Sequence, residues 1–378
     1  MNNGTILYIG GFELPDKNAA AHRVLSNAKI FRELGKKVVF IGVDKTLSPN
    51  FTIFETKKDV QGFESYSIPY PTGGKNWLKF LTSIEDYIAI SKNIDNLEMV
   101  VMYNFQSVAM KKMMLYCKKN NIKCCADVTE WRSAKGEGII YRLLKDSDTW
   151  YRMKVLHKKM DGLIVISRYL EKYYNNCRNV IYVPALVDCS EEKWTNTFEK
   201  STGSLHLVYA GNPGRKDKID ILIQSLKKVK RMVVLDIIGI SYEEFKNYFP
   251  KLEIDTDSNI KFHGRLSHLE TLDYVKKANY SIFFRDDNRV SKSGFPTKFV
   301  ESIASGTPVI TNNTSNINEF IYGAKSNGII IDNLDCDSIE KIIEKAPNLM
   351  NVDRGCFDYN NYLECFCDFI KNVLGGQF

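Results

Sequence analysis

Residues 293–310 of the 378-residue chain read SGFPTKFVESIASGTPVI and combine turn-forming, cationic and acidic side chains. Gly294 and Pro296 predict a tight turn. The apolar spacing over residues 297–305 predicts a helix, and Pro308 prevents that helix from continuing. The stretch therefore predicts a helix that begins at a turn, an arrangement in which backbone N–H groups at the helix start have no partner within the helix.

The start of this predicted helix is suited to an anion. Free N–H groups and the helix dipole favour negative charge there, and Thr297 and Lys298 add a hydroxyl group and a cation. Candidate substrate-binding residues for a phosphate or diphosphate are Phe295, Pro296, Thr297 and Lys298. Glu301, one turn further in, is placed to accept hydrogen bonds from the paired hydroxyls of a sugar. A plain helix–strand unit with a solvated Lys298 and Glu301 explains the same pattern equally well.

More cations follow predicted strands in the second half of the chain. Residues 205–210 predict a strand, and the turn after it begins at Gly211 and contains Arg215 and Lys216. A turn with two cations at a helix start again favours an anion, and a charged, solvated turn is the alternative. Arg285 follows another predicted strand. It can grip a diphosphate through two hydrogen bonds or pair with the acidic residues beside it.

The first half offers polar residues at the ends of its predicted strands. Gly11 follows the first strand and lets a ligand approach the backbone closely. His22 lies on the next helix, either as a surface residue or as a contact of an acceptor. Asp127 and Glu130 lie at the end of a later strand, where open α/β sheets place their ligands and chemistry. A helix N-cap is the alternative for Asp127.

Strands alternate with helices along the whole chain, which is the pattern of an α/β protein with parallel sheets. The chain is too long for one core, so we predict two doubly wound, Rossmann-like domains. The first covers residues 1–190 and the second residues 200–358, with a polar linker at residues 189–204. The first turn lacks the full G-x-G-x-x-G pattern, so a dinucleotide site is not predicted.

The net charge of +7 is unevenly distributed. Residues 1–190 carry 28 Lys and Arg against 19 Asp and Glu, whereas residues 191–378 carry 24 against 26. A basic first half fits contact with an anionic membrane surface or a lipid-phosphate acceptor, and a merely solvated surface is equally consistent. Residues 77–90 predict an amphipathic helix, which we expect to be packed rather than to rest on a bilayer.

Cysteine usage and hydropathy indicate a compartment. Nine cysteines without a C-x-x-C pair favour reduced thiols in a cytosol. The N-terminus lacks a basic region and a cleavage site, so no signal peptide is predicted. No apolar run approaches about 20 residues, so no membrane span is predicted. We expect a cytoplasmic protein, with peripheral contact at the inner face of the plasma membrane as an alternative.

The stretch at residues 293–310 resembles the nucleotide-sugar loop of retaining glycosyltransferase family 4, within group 1 of the glycosyl transferases. That family carries two glutamates eight positions apart, followed by a helix of small residues and G-x-PV. Glu301 matches the second glutamate, and Ser293 stands in the place of the first. The resemblance implies a GT-B fold, in which two Rossmann-like domains face a central cleft. It also implies that the last helix, at residues 360–378, packs back on the first domain.

The resemblance implies roles for individual residues. The family uses an arginine and a lysine after the first strand of its second domain to neutralise the leaving diphosphate. Lys216 matches the lysine within one or two residues, and Arg215 lies near the place of the arginine. Gly11 matches a glycine turn of the family in position. The candidate catalytic residues are Asp127, Lys216, Arg285 and Glu301.

These observations predict a retaining hexosyltransferase that moves a sugar from a nucleotide-diphosphate sugar to a hydroxyl of a glycan or lipid-linked acceptor. We expect a role in cell-surface polysaccharide or glycan biosynthesis and no nucleic-acid partner. No D-x-D follows a strand of the first domain, which agrees with a reaction that uses neither metal nor cofactor. Two alternatives are a nucleotide-sugar epimerase on the same fold and a nucleotide-sugar-binding scaffold without catalysis, the latter favoured by Ser293.

Overall fold

The chain divides into two units in the computed structural model. The first unit comprises Met1–Leu186 with Asp358–Phe378, and the second comprises Val187–Phe357. The structure describes residues 4–15, 17–132, 138–211, 217–254, 259–322 and 326–376. Among the helices of these residues, none is both long enough and apolar enough to cross a membrane.

The first unit is built on an eight-stranded sheet whose interior strands are nearly continuous apolar runs, as expected of parallel strands buried on both faces. The strand order is β3-β4-β2-β1-β5-β6-β7-β8, and only the β3–β4 pair is antiparallel. The strands are β1 Thr5–Gly10, β2 Lys37–Asp44, β3 Lys58–Val60, β4 Phe63–Pro69, β5 Leu97–Tyr103, β6 Lys123–Val128, β7 Gly162–Val165 and β8 Val180–Tyr182.

Helices connect these strands and cover the sheet. They are α1 Ala19–Glu33, α2 Gly73–Thr82, α3 Glu85–Ser91, α4 Ser107–Lys119, α5 Ile139–Tyr151 and α6 Arg168–Tyr173. The first begins where the side chain of Asn18 accepts a hydrogen bond from the backbone N–H of Ala21 at 2.9 Å. Its apolar stripe, which includes Val24, Ala28 and Phe31, is fully buried in the core of the unit.

The single packed helix predicted for residues 77–90 is instead two helices, α2 and α3. Ser83 has extended backbone angles (φ −87°, ψ 146°) and ends α2, so the apolar periodicity continues only after a break. On α3, Tyr87 and Ile90 are buried, as expected of a packed helix. On α2 no described side chain is buried, so the prediction of ordinary packing is wrong for this part of the segment.

The second unit contains a six-stranded parallel sheet in the order β11-β10-β9-β12-β13-β14. Its strands are β9 Leu205–Ala210, β10 Val233–Ile238, β11 Ile260–Phe262, β12 Tyr280–Phe283, β13 Val309–Asn312 and β14 Gly328–Ile331. Its helices are α7 Ile219–Leu226, α8 Tyr242–Tyr248, α9 His268–Lys277, α10 Arg289–Ser293, α11 Thr297–Ala304, α12 Asn318–Ile321 and α13 Cys336–Lys345. The order departs from the chain order at β9–β12, which creates the switch point where such sheets bind ligands.

Residues 189–204 were predicted to be a linker, but they are part of the second unit and pack within it. Trp194 is only 1% exposed, and its carbonyl oxygen accepts a hydrogen bond from the Arg354 guanidinium. The Asn196 side chain donates to the carbonyl oxygen of Ser305 at 2.9 Å. A polar segment without periodicity can still be anchored by one large apolar side chain, and local composition did not reveal this.

The last helix, α14 Leu363–Leu374, belongs to the first unit. The ring of Phe366 packs edge-on against Phe31 of α1, with 5.1 Å between the ring centres. Phe369 lies so close to the backbone of Gly162 that a Cβ atom there would come within 2.6 Å of its ring. A glycine at the start of β7 is therefore what lets α14 approach the sheet.

Candidate functional site

Three neighbouring strands of the second sheet, β9, β12 and β13, run parallel and therefore end at the same edge. Gly211 directly follows β9, Arg285 follows β12, and Asn312 ends β13. The carboxyl edge of an open α/β sheet is where ligands bind. Lys298 lies in the first turn of α11, on the connection between β12 and β13, and the end of its side chain lies beside Gly211 at this edge.

A buried carboxylate lies at the centre of this edge. Asp217 Oδ2 accepts hydrogen bonds from Lys298 Nζ at 3.0 Å and from the Tyr209 hydroxyl, and Oδ1 lies 3.3 Å from Arg285 Nε. Lys298 Nζ also donates to the Tyr209 hydroxyl at 2.6 Å and lies 4.0 Å from the centre of that ring. We call these four residues, Tyr209, Asp217, Arg285 and Lys298, the cationic cluster.

The members of the cationic cluster differ in their exposure. The side chain of Asp217 is 1% exposed, whereas those of Arg285 and Lys298 are 25% and 16% exposed. Burial, followed by the charge of Asp217, raises the pKa of Tyr209, so its hydroxyl stays protonated. The hydroxyl donates a hydrogen bond to the carboxylate. A solute can therefore reach the two cations but not the carboxylate that holds them, and the cluster keeps a surplus of positive charge.

Asn312 fixes the backbone of Arg285. Its side-chain oxygen accepts a hydrogen bond from the Arg285 N–H at 2.9 Å, and its side-chain nitrogen donates to the Arg285 carbonyl at 2.8 Å. The ladder between β12 and β13 ends at Phe283 and Thr311, so this amide continues the pairing with a side chain. The result is a rigid starting point for the Arg285 side chain at the edge of the sheet.

Gly211 leaves the space that Lys298 occupies. Its φ of +130° is a backbone conformation that residues other than glycine rarely adopt. A Cβ atom at this position would lie 2.7 Å from Lys298 Cε and 2.9 Å from Lys298 Nζ. The glycine is thus required both by the turn and by the path of the lysine.

The start of α11 adds backbone donors. Pro296, the N-cap residue of this eight-residue helix, makes no side-chain hydrogen bond to the first N–H groups, and the N–H of Phe299 donates to the Pro296 carbonyl oxygen at 3.1 Å. One turn further, Glu301 Oε1 lies 3.5 Å from His268 Nε2, and both side chains are partly exposed. His268 is not among the residues predicted for the site. Another histidine of this unit, His263, has its Nε2 2.6 Å from Asp236 Oδ1.

The residues just before α11 are mostly part of the core. Phe295 is 7% exposed, and its ring packs against those of Phe299, Phe320 and Phe357. A direct substrate contact, as predicted for Phe295, does not fit this burial. Ser293, in the place of the family's first glutamate, is fully buried, and its hydroxyl donates to the carbonyl oxygen of Val290 at 3.0 Å.

Two predicted site residues, Arg215 and Lys216, lie outside the described residues. The chain is described again from Asp217, which directly follows them and is the centre of the cationic cluster. Lys218 has a positive φ of 50° and pairs with Asp286 at 3.0 Å. Sequence reasoning did not select Asp217 or Tyr209, because a carboxylate beside two cations also fits a solvated turn.

In the first unit, Asp127 is part of a buried network rather than an accessible site. Arg23 donates to both oxygens of Asp127 through Nε at 2.8 and 3.0 Å, and its Nη2 lies 2.7 Å from Oδ1. The Tyr8 hydroxyl and the Asn27 amide donate to Oδ2 at 2.6 and 3.3 Å. The Asp127 side chain has no exposed surface. The catalytic role predicted for Asp127 does not fit a carboxylate whose oxygens are already taken.

The surroundings of Arg23 explain why this pair is stable. Besides Asp127, Arg23 donates to the carbonyl oxygens of Val183 and Pro184, each at 3.0 Å. Burial acts to lower the pKa of Arg23, but the charge and the hydrogen bonds of Asp127 raise it overall, so the guanidinium group stays charged. No local signal in the sequence distinguishes Arg23 from a surface arginine, because its partners lie more than 100 residues away.

The remaining first-unit candidates are accessible. Gly11 is exposed at the end of β1, and a Cβ atom there would meet nothing within 4 Å. His22 is partly exposed on α1. Glu130 is 37% exposed and accepts hydrogen bonds from Arg132 Nε at 2.7 Å and from the Asn104 amide at 3.3 Å. These residues can contact a solute, and their roles stay predictions.

The sequence of residues 190–352 matches the family described as Glycosyl transferases group 1. The match covers nearly all of the second unit and includes every member of the cationic cluster. It confirms the resemblance of this region to the glycosyl transferases of group 1. No curated protein is significantly similar to this chain in sequence.

Solved structures of similar fold cover the whole chain. Sucrose-phosphate synthase from Thermosynechococcus elongatus has a TM-score of 0.69 at 13% identity and covers 99% of this chain and 100% of its own. The catalytic domain of starch synthase IV from Arabidopsis thaliana, bound to ADP and acarbose, has a TM-score of 0.67 at 8% identity, with 99% and 100% covered. HepE from Anabaena, in complex with UDP and glucose, has a TM-score of 0.62 at 12% identity, with 97% and 99% covered.

These similarities show the GT-B fold, so the predicted fold class of two Rossmann-like α/β domains is confirmed. The fold is that of GT-B glycosyltransferases. The match to the glycosyl transferases of group 1 lies within the second unit, at residues 190–352.

Proposed function

We propose that this chain is a retaining, metal-independent hexosyltransferase that uses a nucleotide-diphosphate sugar as donor. The observation that carries the proposal is the cationic cluster at the carboxyl edge of the second sheet, beside the start of α11. Positive charge that is accessible to a solute, fixed by a buried carboxylate and next to the start of a helix, is suited to a diphosphate.

The cluster has a clear chemical task in such a reaction. As the bond between the sugar and the diphosphate breaks, negative charge grows on the leaving phosphate oxygens. Lys298 and Arg285 are already held by Asp217, so they need little rearrangement to stabilise that charge. Lys216 and Arg215, which lie outside the described residues, are proposed to add to the same charge. Two similar structures hold UDP or ADP, which supports a nucleoside diphosphate as the leaving group.

Glu301 is proposed to bind hydroxyl groups of the donor. Its partly exposed carboxylate lies one turn into α11, beyond the backbone N–H groups proposed for the phosphate. A carboxylate accepts hydrogen bonds from adjacent sugar hydroxyls, and its neighbour His268 orients it. Pro296 and Thr297 border the same region at the helix start.

The first unit is proposed to bind the acceptor, a glycan or a lipid-linked sugar in the synthesis of a cell-surface polysaccharide. Gly11, His22 and Glu130 are the accessible candidates for this contact. The basic charge of the first half supports an anionic acceptor or a peripheral contact with an anionic membrane. We also propose a cytoplasmic location, because nine cysteines without a C-x-x-C pair are typical of reduced thiols in a cytosol.

The test is a screen of nucleotide-diphosphate sugars by thermal shift, followed by an assay of the best ligand. A ligand that binds the folded state only should raise the melting temperature by mass action. The ligand should then be consumed by transfer or slow hydrolysis, and the anomeric configuration of the product should be that of the donor. Inversion of the configuration would contradict a retaining mechanism.

A nucleotide-sugar-binding scaffold without catalysis is a second candidate, favoured by one observation. Ser293 stands in the place of the family's first glutamate, is fully buried, and uses its hydroxyl on the backbone of Val290. A thermal shift without transfer, hydrolysis or sugar interconversion would support the scaffold. Interconversion of the donor sugar without transfer would instead support an epimerase.

A further inference from the structure

The helix α5 has its apolar residues on the solvent side. Ile139, Leu143, Leu144 and Trp150 are 79%, 63%, 69% and 54% exposed. Thr149 of the same helix is buried, and Asp148 accepts a hydrogen bond from the backbone N–H of Ser107 at 2.7 Å. A helix of a soluble domain normally turns its apolar stripe toward the core. The reversed orientation indicates that something apolar covers α5.

Two neighbouring helices extend this surface. The helix α4 contacts both α2 and α5, and Lys112 of α4 donates to the carbonyl oxygen of Thr82 at the end of α2 at 2.6 Å. The side chains of Trp77, Leu78 and Leu81 on α2 are 39%, 63% and 37% exposed. The exposed apolar side chains on α4 are Val108 and Leu115. We call the exposed residues of these three helices the α2–α4–α5 surface.

The α2–α4–α5 surface is strongly basic. The three helices carry eight basic residues against two acidic ones, a net charge of +6. The helix α4 has no acidic residue, and its exposed positions alternate between cations and apolar residues along one side. The basic residues are Lys75, Lys79, Lys111, Lys112, Lys118, Lys119, Arg142 and Lys145. Of the two acids, Asp146 pairs with Arg142 at 3.5 Å.

This combination identifies the occupant. Exposed Leu, Ile and Trp side chains interleaved with Lys and Arg match the interface of a bilayer that contains anionic lipids. A second copy of the chain would bring one +6 surface against another, and like charges at an interface oppose association. A neutral apolar partner would leave the cations without a counter-charge. The charge pattern therefore favours an anionic lipid surface.

We infer that the α2–α4–α5 surface docks on an anionic lipid bilayer, with α5 and α2 inserting their apolar side chains at the headgroup level. The purpose given to this contact rests on the proposed function, because a lipid-linked acceptor is presented at such a surface. The docking itself depends only on the three helices. It needs no change in the cationic cluster of the second unit.

The test measures cosedimentation of the full chain with vesicles. One set of vesicles contains phosphatidylcholine alone, and the other contains equal amounts of phosphatidylcholine and phosphatidylglycerol. The wild-type protein should sediment with the anionic vesicles, bind the neutral ones much more weakly, and be released by added salt. Donor hydrolysis, which needs no lipid, is measured in the same samples.

Two double variants separate the apolar from the electrostatic contribution to vesicle binding. The double change Leu143→Ser with Leu144→Ser should weaken partitioning by at least about tenfold. Lys118→Glu with Lys119→Glu should weaken it by about twentyfold or more. The matched controls change leucines of similar exposure, Leu269→Ser with Leu349→Ser, and exposed lysines, Lys227→Glu with Lys261→Glu. The controls should leave partitioning unchanged.

Several results would overturn the inference. These are equal binding of wild type to both vesicle types, no loss in the surface variants, or an equal loss in the controls. A wild-type dimer in light scattering that the leucine variant dissociates, without vesicle binding, would assign the surface to a second copy. Vesicle binding without any donor hydrolysis or transfer would leave the docking in place and contradict the proposed function instead.

Discussion

Asp217 is a negatively charged residue in a site proposed for an anion, and its burial explains how the two can coexist. Its carboxylate is 1% exposed and faces Lys298 and Arg285, so it orders both cations without facing a ligand. Long flexible side chains lose conformational entropy when a ligand fixes them. A lysine and an arginine that are already held in place lose less conformational entropy on binding, which strengthens their interaction with a transition state.

The role of Lys298 can be tested with Lys298→Met, which keeps the volume of the side chain and removes its charge. We expect kcat for sugar transfer to fall about 100- to 1,000-fold, corresponding to the ~2–4 kcal/mol that a lost donor at a developing oxyanion costs. The control is Lys292→Met, an exposed lysine paired with Asp287 just before α11. A fall under about tenfold, or ~1.4 kcal/mol, with an intact fold would remove Lys298 from the mechanism.

Asp127 shows the opposite use of a carboxylate, because it has no access to solvent and four donor groups around it. Asp127→Asn leaves Arg23 with an uncompensated buried charge, so we expect the first unit to lose about 3–5 kcal/mol of stability. Donor hydrolysis per folded molecule should not change. Denaturant unfolding followed by a hydrolysis assay measures both effects.

The double variant Arg23→Met with Asp127→Leu is the control for that prediction. It removes both charges together, so it should recover much of the lost stability. If Asp127→Asn folded as well as the wild type and lost activity, the catalytic role first predicted from the sequence would be restored.

At the scale of elements, the site depends on how strands and helices end. The carboxyl ends of β9, β12 and β13 bring Gly211, Arg285 and Asn312 together, and α11 begins on the connection between β12 and β13. The side chain of Asn312 pairs with the backbone of Arg285, and the absence of a side chain at Gly211 leaves space for Lys298. Asn312 and Gly211 therefore position the cations without carrying charge themselves.

Gly211→Ala tests the element-level argument. The new Cβ would lie within 3 Å of the end of the Lys298 side chain and would meet an unfavourable φ, so Lys298 should be displaced. We expect kcat to fall about as far as in Lys298→Met. In a background that already carries Lys298→Met, the same glycine change should have a much smaller effect. Equal effects in both backgrounds would mean that Gly211 acts through the turn alone.

At the scale of the whole molecule, a buried histidine links stability to pH. His157 lies between α5 and β7 along the chain and is buried, and its Nδ1 lies 2.9 Å from the Tyr174 hydroxyl. Burial, and to a lesser extent the charge of Arg152, lowers the pKa of His157 well below its usual value. In the unfolded chain the pKa is ordinary, about 6.5, so the unfolded state binds a proton that the folded state does not.

The sign of the pH effect follows from this difference. Stability should be complete above about pH 7.5 and should fall as the pH drops below about 6.5, by up to ~1.4 kcal/mol per pH unit from this residue. His157→Gln keeps a polar partner for Tyr174 and cannot titrate, so the variant should lack this part of the fall. Protection factors of amide hydrogens in β7, measured at several pH values, report the stability of the first unit. Parallel slopes in the two proteins would contradict the prediction.

Much of the fold follows from local patterns. The apolar runs at Thr5–Gly10, Lys123–Val128 and Leu205–Ala210 predict strands within a residue of their ends, because burial on both faces leaves a continuous signature. The break at Ser83 was missed because the amphipathic period continues across it. The burial of Trp194 was missed because its neighbours in the sequence are polar.

The sequence by itself determined the strands and the helix that carry the site and placed Gly211, Arg285 and Lys298 at their ends, because turns and periodicity are local properties. Only the tertiary structure decided which groups meet. Lys298 meets Asp217 across 81 residues, and Arg23 meets Asp127 across 104. Whether a charged side chain becomes a surface group, a buried partner or a ligand contact depends on packing between distant segments. No window of sequence contains that information.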